Sequence, residues 1–189
     1  MKQFWIHFKN NYPHSFILLF FSITGFWAAF TISFEKYMIL TNPLYTPGCN
    51  INAWIDCGKV MNSQYATMFN FPNSWLGLMG WPMAWLTVLY LLTHKQLSKP
   101  FMLIAMFITF PAVIISYIWT YFAFFRIGAI CPWCIVSCIS ATLASASLVD
   151  LNRNKGFIKF PVKSFNMWAI ILAIWFGIWG IILYMTVVR

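Results

Sequence analysis

Five cysteines carry the reactive chemistry of this 189-residue chain. Cys131-Pro132-Trp133-Cys134 is the strongest local signal. If a helix begins there, Cys131 falls at its N-cap and Pro132 in its first turn, where a missing N–H costs nothing. The positive end of the helix dipole then stabilises a thiolate, the attacking species in thiol–disulfide exchange. The i, i+3 spacing puts both sulfurs on one helical face, close enough to bridge where local geometry allows. Cys49 and Cys57, separated by seven residues, read as a relay pair. Three blander readings compete: buried thiols acting as small hydrophobes, a plain structural disulfide in a loop, and a Cys₄ zinc site. The last suffers from an unusual C-x₇-C spacing and a CxxC at a lipid edge, so no metal is assigned.

Other chemistries lack their residues. No βαβ pattern accompanies the CxxC, which excludes a thioredoxin fold. His7, His14 and His94 sit at the ends of apolar runs and read as interfacial side chains, so haem has no inward axial ligand. No Ser-His-Asp set, Gly-rich phosphate loop or carboxylate pair supports hydrolysis or phosphoryl transfer.

The elements that must hold these thiols are membrane spans. The chain is 61% hydrophobic and 8% charged, with a mean hydropathy of +0.75. Soluble domains run about 45–50% apolar and roughly 25% charged, so a water-facing globule is excluded. Five stretches suffice to cross a bilayer, which takes about 20 residues each: residues 16–34, 75–93, 101–122, 131–149 and 167–188. The first outruns a signal h-region and lacks an A-x-A site, so it reads as an uncleaved span.

A net charge of +9 would suggest nucleic acid in a soluble protein; here loop charges explain it, and no nucleic acid is expected. Lys2, Lys9, Lys95, Lys99, Arg153, Lys155, Lys159 and Lys163 fall on one side of the membrane. Lys36, Lys59, Arg126 and Arg189 fall on the other. The positive-inside rule puts the amino terminus in the cytoplasm. Parity then brings the 35–74 loop, with Cys49 and Cys57, to the same face as Cys131 and Cys134. That face is the outer one, where disulfides persist.

The expected architecture is an all-α integral membrane domain over residues 1–189. It comprises a four-helix transmembrane bundle, a fifth transmembrane helix and a cysteine-bearing loop cap. The cap, residues 35–74, is too long for an ordinary connection, and Trp54, Met61, Tyr65 and Phe69 suit packing on the bundle mouth. A short helix near 56–69 is expected, capped by Asp56 or Asn52. Gly25/Ala29, Gly80/Ala84 and Ser137/Ala141/Ser145 recur at four-residue spacing, which suits tight helix contact. Pro82 and Pro111 read as kinks.

Electron accounting narrows the function. A dithiol closing to a disulfide releases two electrons, and with no metal or flavin motif they need a small membrane-soluble acceptor. A quinone fits.

Order and spacing of four motifs resemble the vitamin K epoxide reductase family: Cys49-x₇-Cys57, Lys59-Val60-x-x-Ser63, Asn73-Ser-Trp-Leu-Gly77 and Cys131-Pro-Trp-Cys134. The resemblance covers nearly all of the first four spans. It implies a four-helix bundle around a quinone pocket, with Cys134 next to the quinone and Cys131 exchanging with Cys57. Cys49 would meet the protein substrate, Ser63 would sit by the cysteines, and Asn73 would hydrogen-bond a quinone oxygen. From the residues alone, Asn73 is equally an N-cap for the second span, and Ser63 equally satisfies loop backbone. One departure stands out: many members carry Tyr where this chain has Cys138, which cannot offer a phenol to the ring and reads as a buried unpaired thiol.

Bacterial members often add a fifth span and a fused thioredoxin-like domain. With the sequence ending at Arg189, the implied partner is a separate periplasmic thioredoxin-like (DsbA-like) dithiol oxidase. The expectation is an inner-membrane enzyme of bacterial type that passes two electrons from that partner to a ubiquinone or a menaquinone/vitamin K-type quinone. Two alternatives stand beside it: a vitamin K quinone or epoxide reductase fed by cellular thiols, as in animal members, and a non-catalytic metal-binding membrane protein.

Overall fold

Long apolar runs dictate the long elements, and Pro82 and Pro111 lie inside two of these helices without ending them. In the computed structural model, residues 2–94 and 96–159 are described, with isolated helical positions at 173, 176, 177 and 180. The expected fifth span, 167–188, otherwise lies outside the described residues. Helix α1 covers Lys2–Thr41, α2 Cys57–Met61, α3 Ser74–Thr93, α4 Lys99–Phe122 and α5 Pro132–Asn154. Four of the described helices are long and apolar enough to cross a membrane, and the chain is a membrane protein.

Span one is longer than expected. Its apolar portion, His14–Thr41, has 28 residues, which at about 1.5 Å each reaches roughly 42 Å, beyond a hydrocarbon core of about 30 Å. No proline interrupts the helix between His14 and Pro43, so residues 35–41 continue α1 and lift the start of the cap. Helix α5 also runs past its expected end and stops in a Schellman arrangement. Gly156 takes the left-handed conformation at φ 71°, with Gly156 N donating to Arg153 O and Phe157 N to Asn152 O.

Helix α1 packs against both α3 and α5, and α4 packs against α5. Helix α5 is the most buried of the four spans and α4 the least. Small residues set two of the close approaches. A Cβ on Gly25 would enter the Trp81 ring, and one on Gly77 would come within 2.8 Å of Ala29 Cβ. Hydroxyl pairs join α1 to both neighbours, Thr24 with Ser140 of α5 at 3.0 Å and Ser33 with Ser74 of α3 at 2.8 Å. The other expected small-residue contacts differ. Gly80 faces open space, and Ser137 and Ala141 line the same cavity as Gly80.

The core, with Leu18, Val88, Leu91, Met102 and Leu148 fully or nearly fully buried, occupies the half of the bundle remote from the cysteines. At that end Asp150 pairs with Arg153 at 2.7 Å and lies 3.9 Å from His14 Nε2. His14 is therefore largely buried beside a carboxylate and is not a purely interfacial side chain.

Candidate functional site

The cap is organised by short polar side chains that close turns on their own backbone. Asn52 Oδ1 accepts from Trp54 N and Ile55 N at 2.9 and 2.8 Å. Asn50 Oδ1 accepts from Gly58 N at 3.0 Å. Asp56, and not Asn52, caps α2: its Oδ1 accepts from Lys59 N at 2.8 Å. The expected single helix over 56–69 is two pieces, α2 and a 3₁₀ turn at Gln64–Thr67. Ser63 separates them, with its hydroxyl donating to Val60 O at 2.7 Å.

Within this frame Cys49 and Cys57 are joined by a disulfide, their Cα atoms 5.8 Å apart. Cys131 is the N-cap of α5 and Pro132 opens the helix, as the sequence predicts. Cys134 N donates to Cys131 Sγ at 3.3 Å, and the two sulfurs lie 2.7 Å apart with Cys134 as donor. Cys131, Cys134 and Cys138 are thiols. A backbone N–H aimed at sulfur from the first turn of a helix favours negative charge on Cys131.

The two pairs meet. Cys49, Cys57, Met61 and Cys131 form one buried cluster, with Ile32, Val60, Trp133 and Cys134 packed on it. Backbone pairing sets the register. Ile55 and Ile130 form a parallel β-bridge, in which Ile130 N donates to Trp54 O at 2.6 Å and Asp56 N to Ile130 O at 3.1 Å. Cys57 and Cys131 directly follow these paired segments. Both disulfide cysteines are buried, and Cys49 is the less deeply buried residue, at 8% exposure against 1% for Cys57.

Behind the cluster lies a cavity of about 410 Å³, walled mostly by apolar side chains. Cavities holding small molecules typically span about 300–1,000 Å³. Cys134 lines it, as do Ser63, Asn73 and Gly80; Cys131 is not among the lining residues. Trp81, Ala29, Ala84 and Ala144 belong to both core and wall, so the packed half of the bundle is the cavity floor.

Asn73 sits at the N-cap of α3 without capping it through its side chain. Its Nδ2 donates to Tyr65 O at 2.6 Å, while its buried Oδ1 has no partner. That carbonyl fixes the amide's orientation, because only the nitrogen can donate to it. The amide thus ties the 3₁₀ turn to α3 and keeps one acceptor unspent at the cavity wall.

Sequence reasoning missed Lys36, Tyr65 and Trp119, all of which line the cavity. For Lys36 a signal existed: Ala29, Ile32 and Lys36 follow at intervals of three and four, one face of a helix. Cys138 is buried and does not line the cavity. Among the described residues, no group of three or more His, Cys, Asp or Glu side chains could hold a metal ion.

The vitamin K epoxide reductase family model matches residues 16–149, which takes in all four described spans to within a few residues of their ends, the cap and both cysteine pairs. No curated protein matches the chain.

Proposed function

The chain belongs to the vitamin K epoxide reductase family, and from that premise we propose that it is a membrane thiol–quinone oxidoreductase that oxidises a thioredoxin-like partner. One observation carries the reading: Cys134 opens on an apolar cavity while Cys131, three residues earlier, is buried against the Cys49–Cys57 disulfide.

A partner thiolate attacks Cys49, the less deeply buried residue of the disulfide, and the partner's second thiol resolves the mixed disulfide. The partner leaves oxidised, and Cys49 and Cys57 are dithiol. Cys57 then attacks Cys131 of an oxidised Cys131–Cys134 pair, and Cys49 resolves that bond, which moves the two electrons inward. Finally the S–H bonds of Cys131 and Cys134 break, their S–S bond forms, and two electrons and two protons reduce a bound quinone to hydroquinone. Asn73 suits both ends of that last step: its second amide N–H can donate to a quinone carbonyl, and its unpaired Oδ1 can accept from a hydroquinone O–H. Ser63, which lines the same cavity as Cys134, contributes a hydroxyl whose proton is committed to Val60 O and whose lone pairs remain for ligand.

The charge bias of the loops supports a cytoplasmic amino terminus with the cap on the outer face, and the expected fifth span, frequent in bacterial members, supports an inner membrane with the cap in the periplasm. Cys131→Ser and Cys134→Ser are expected to abolish oxidation of a thioredoxin-like dithiol protein in membranes supplied with quinone. Turnover at the parent rate in either variant rejects the assignment.

A further inference from the structure

We propose that Lys36 is the residue that stabilises the negative charge gathering on a quinone oxygen during reduction. The inference rests on the quinone reading of the cavity and adds to it a group that the cysteine motifs do not contain.

Lys36 is the one basic side chain among the residues lining the cavity. It lies on α1 in register with Ala29 and Ile32, beside Val60 and Ser63 of the cap. The neighbouring exposed positions Phe34, Tyr37 and Leu40 show which face of α1 points away from the bundle. A lysine turned inward from that face, at the level where α1 rises into the cap, is partly desolvated and calls for a partner. No carboxylate supplies one. The chain contains three acidic residues. Glu35 Oε2 accepts from Tyr45 Oη at 2.7 Å, and Asp56 Oδ1 caps α2. Asp150 is paired with Arg153 at the opposite end of the bundle. Lys36 Nζ instead donates to the neutral amide oxygen of Asn62 at 3.1 Å. That bond orients the ammonium without neutralising it, so a side chain that lines the cavity carries a positive charge with donors to spare beside it.

The chemistry supplies the missing anion. As the Cys131–Cys134 bond forms, two electrons pass to the ring and its oxygens gain negative charge before both thiol protons have reached them. An ammonium held in place before the reaction stabilises that oxyanion without reorganising. Lys36 is half-buried, so solvent screens part of the effect.

The experiment uses the full-length protein in detergent or nanodiscs, as parent, Lys36→Met and Lys36→Arg. Two rings are titrated by quenching of tryptophan fluorescence, since Trp81 and Trp119 line the cavity. One is neutral 1,4-naphthoquinone; the other is 2-hydroxy-1,4-naphthoquinone, an anion at neutral pH that mimics the charge of the reduced ring. Lys36→Met should weaken the anion roughly tenfold and leave the neutral ring within about twofold, and Lys36→Arg should restore the anion. In dithiothreitol-driven quinone reduction, Lys36→Met should lower kcat by a similar factor at unchanged KM. Equal losses for both rings, or no loss for either, overturn the assignment to Lys36 and leave the quinone reading standing. A parent protein that binds neither ring overturns the quinone reading and, with it, this one.

Discussion

Ile55 and Ile130 form the one isolated β-bridge among the described residues, and it ties the segment before Cys57 to the segment before Cys131. The proposed sulfur relay would therefore depend on two backbone hydrogen bonds as well as on side-chain packing. Ile130→Pro removes the N–H that donates to Trp54 O, a loss of about 0.5–1.5 kcal/mol in net terms. Turnover driven by a dithiol protein should fall roughly three- to tenfold, because the cap no longer presents Cys57 to Cys131 in register. Reduction driven by dithiothreitol, which can reach Cys131 and Cys134 without the cap, should hold. Parallel losses in both assays would assign the bridge to the stability of α5 and not to the relay.

The order of exchange has its own test. With Cys134→Ala, Cys131 loses the partner whose sulfur lies 2.7 Å away, and its remaining sulfur neighbours are those of the cap. Mass mapping after rapid alkylation should find Cys57 bonded to Cys131 and Cys49 alkylated. A Cys49–Cys131 bond would reverse the roles of the cap cysteines. Absence of any bond to Cys131 would exclude direct exchange.

The four described spans and the meeting of the cysteines were legible because each follows from a simple rule. Apolar length marks the spans, Pro132 after Cys131 marks the start of α5, and parity puts both pairs at one end. What escaped depends on which side of a helix faces a void. Gly25 and Gly80 look alike in sequence, each followed four residues later by alanine, yet one meets an indole ring and the other meets nothing. Only the path of the neighbouring helix distinguishes them. Asn73 is similar: both an N-cap and a ligand contact suit an asparagine ahead of an apolar run. Its αR backbone and the nearby Tyr65 carbonyl, set by the fold of the cap, decide against side-chain capping. The length of α1 was underestimated because Glu35 and Lys36 look like the edge of a loop, whereas charged residues with good helix propensity simply continue the helix until Pro43.

Asn73 should show two separable effects. Asn73→Ala loses the bond to Tyr65 O, so the detergent-solubilised protein should melt at lower temperature, by a margin equivalent to about 1 kcal/mol. It also loses both polar groups at the cavity wall, and the KM for quinone should rise roughly tenfold. Asn73→Asp, ionised, keeps an acceptor at the wall but cannot donate to Tyr65 O or to a quinone carbonyl, and it places a negative charge beside the site. It should be at least as damaging as alanine to both measurements. An Asn73→Ala protein with lowered melting temperature and unchanged KM would confine the residue to holding the cap.

The two glycines facing the α1–α3 interface and the cavity give the sharpest contrast. Gly77→Ala would bring its Cβ within 2.8 Å of Ala29 Cβ, too close for two packed helices, and overpacking of this kind costs about 1–3 kcal/mol. The expected result is a lower melting temperature with loss of folded protein. Gly80→Leu meets no neighbour within 4 Å of its Cβ, and replacing a helical glycine should gain about 0.5–1 kcal/mol of helix stability. The added side chain instead occupies the space a ring would fill beside Trp81. Its melting temperature should match or exceed the parent's while quinone reduction falls at least tenfold through KM, a loss of about 1.4 kcal/mol of binding. A Gly80→Leu protein that is stable and turns over quinone at the parent KM would mean that the reacting ring lies elsewhere than in this cavity, and the electron path from Cys134 would have to be redrawn.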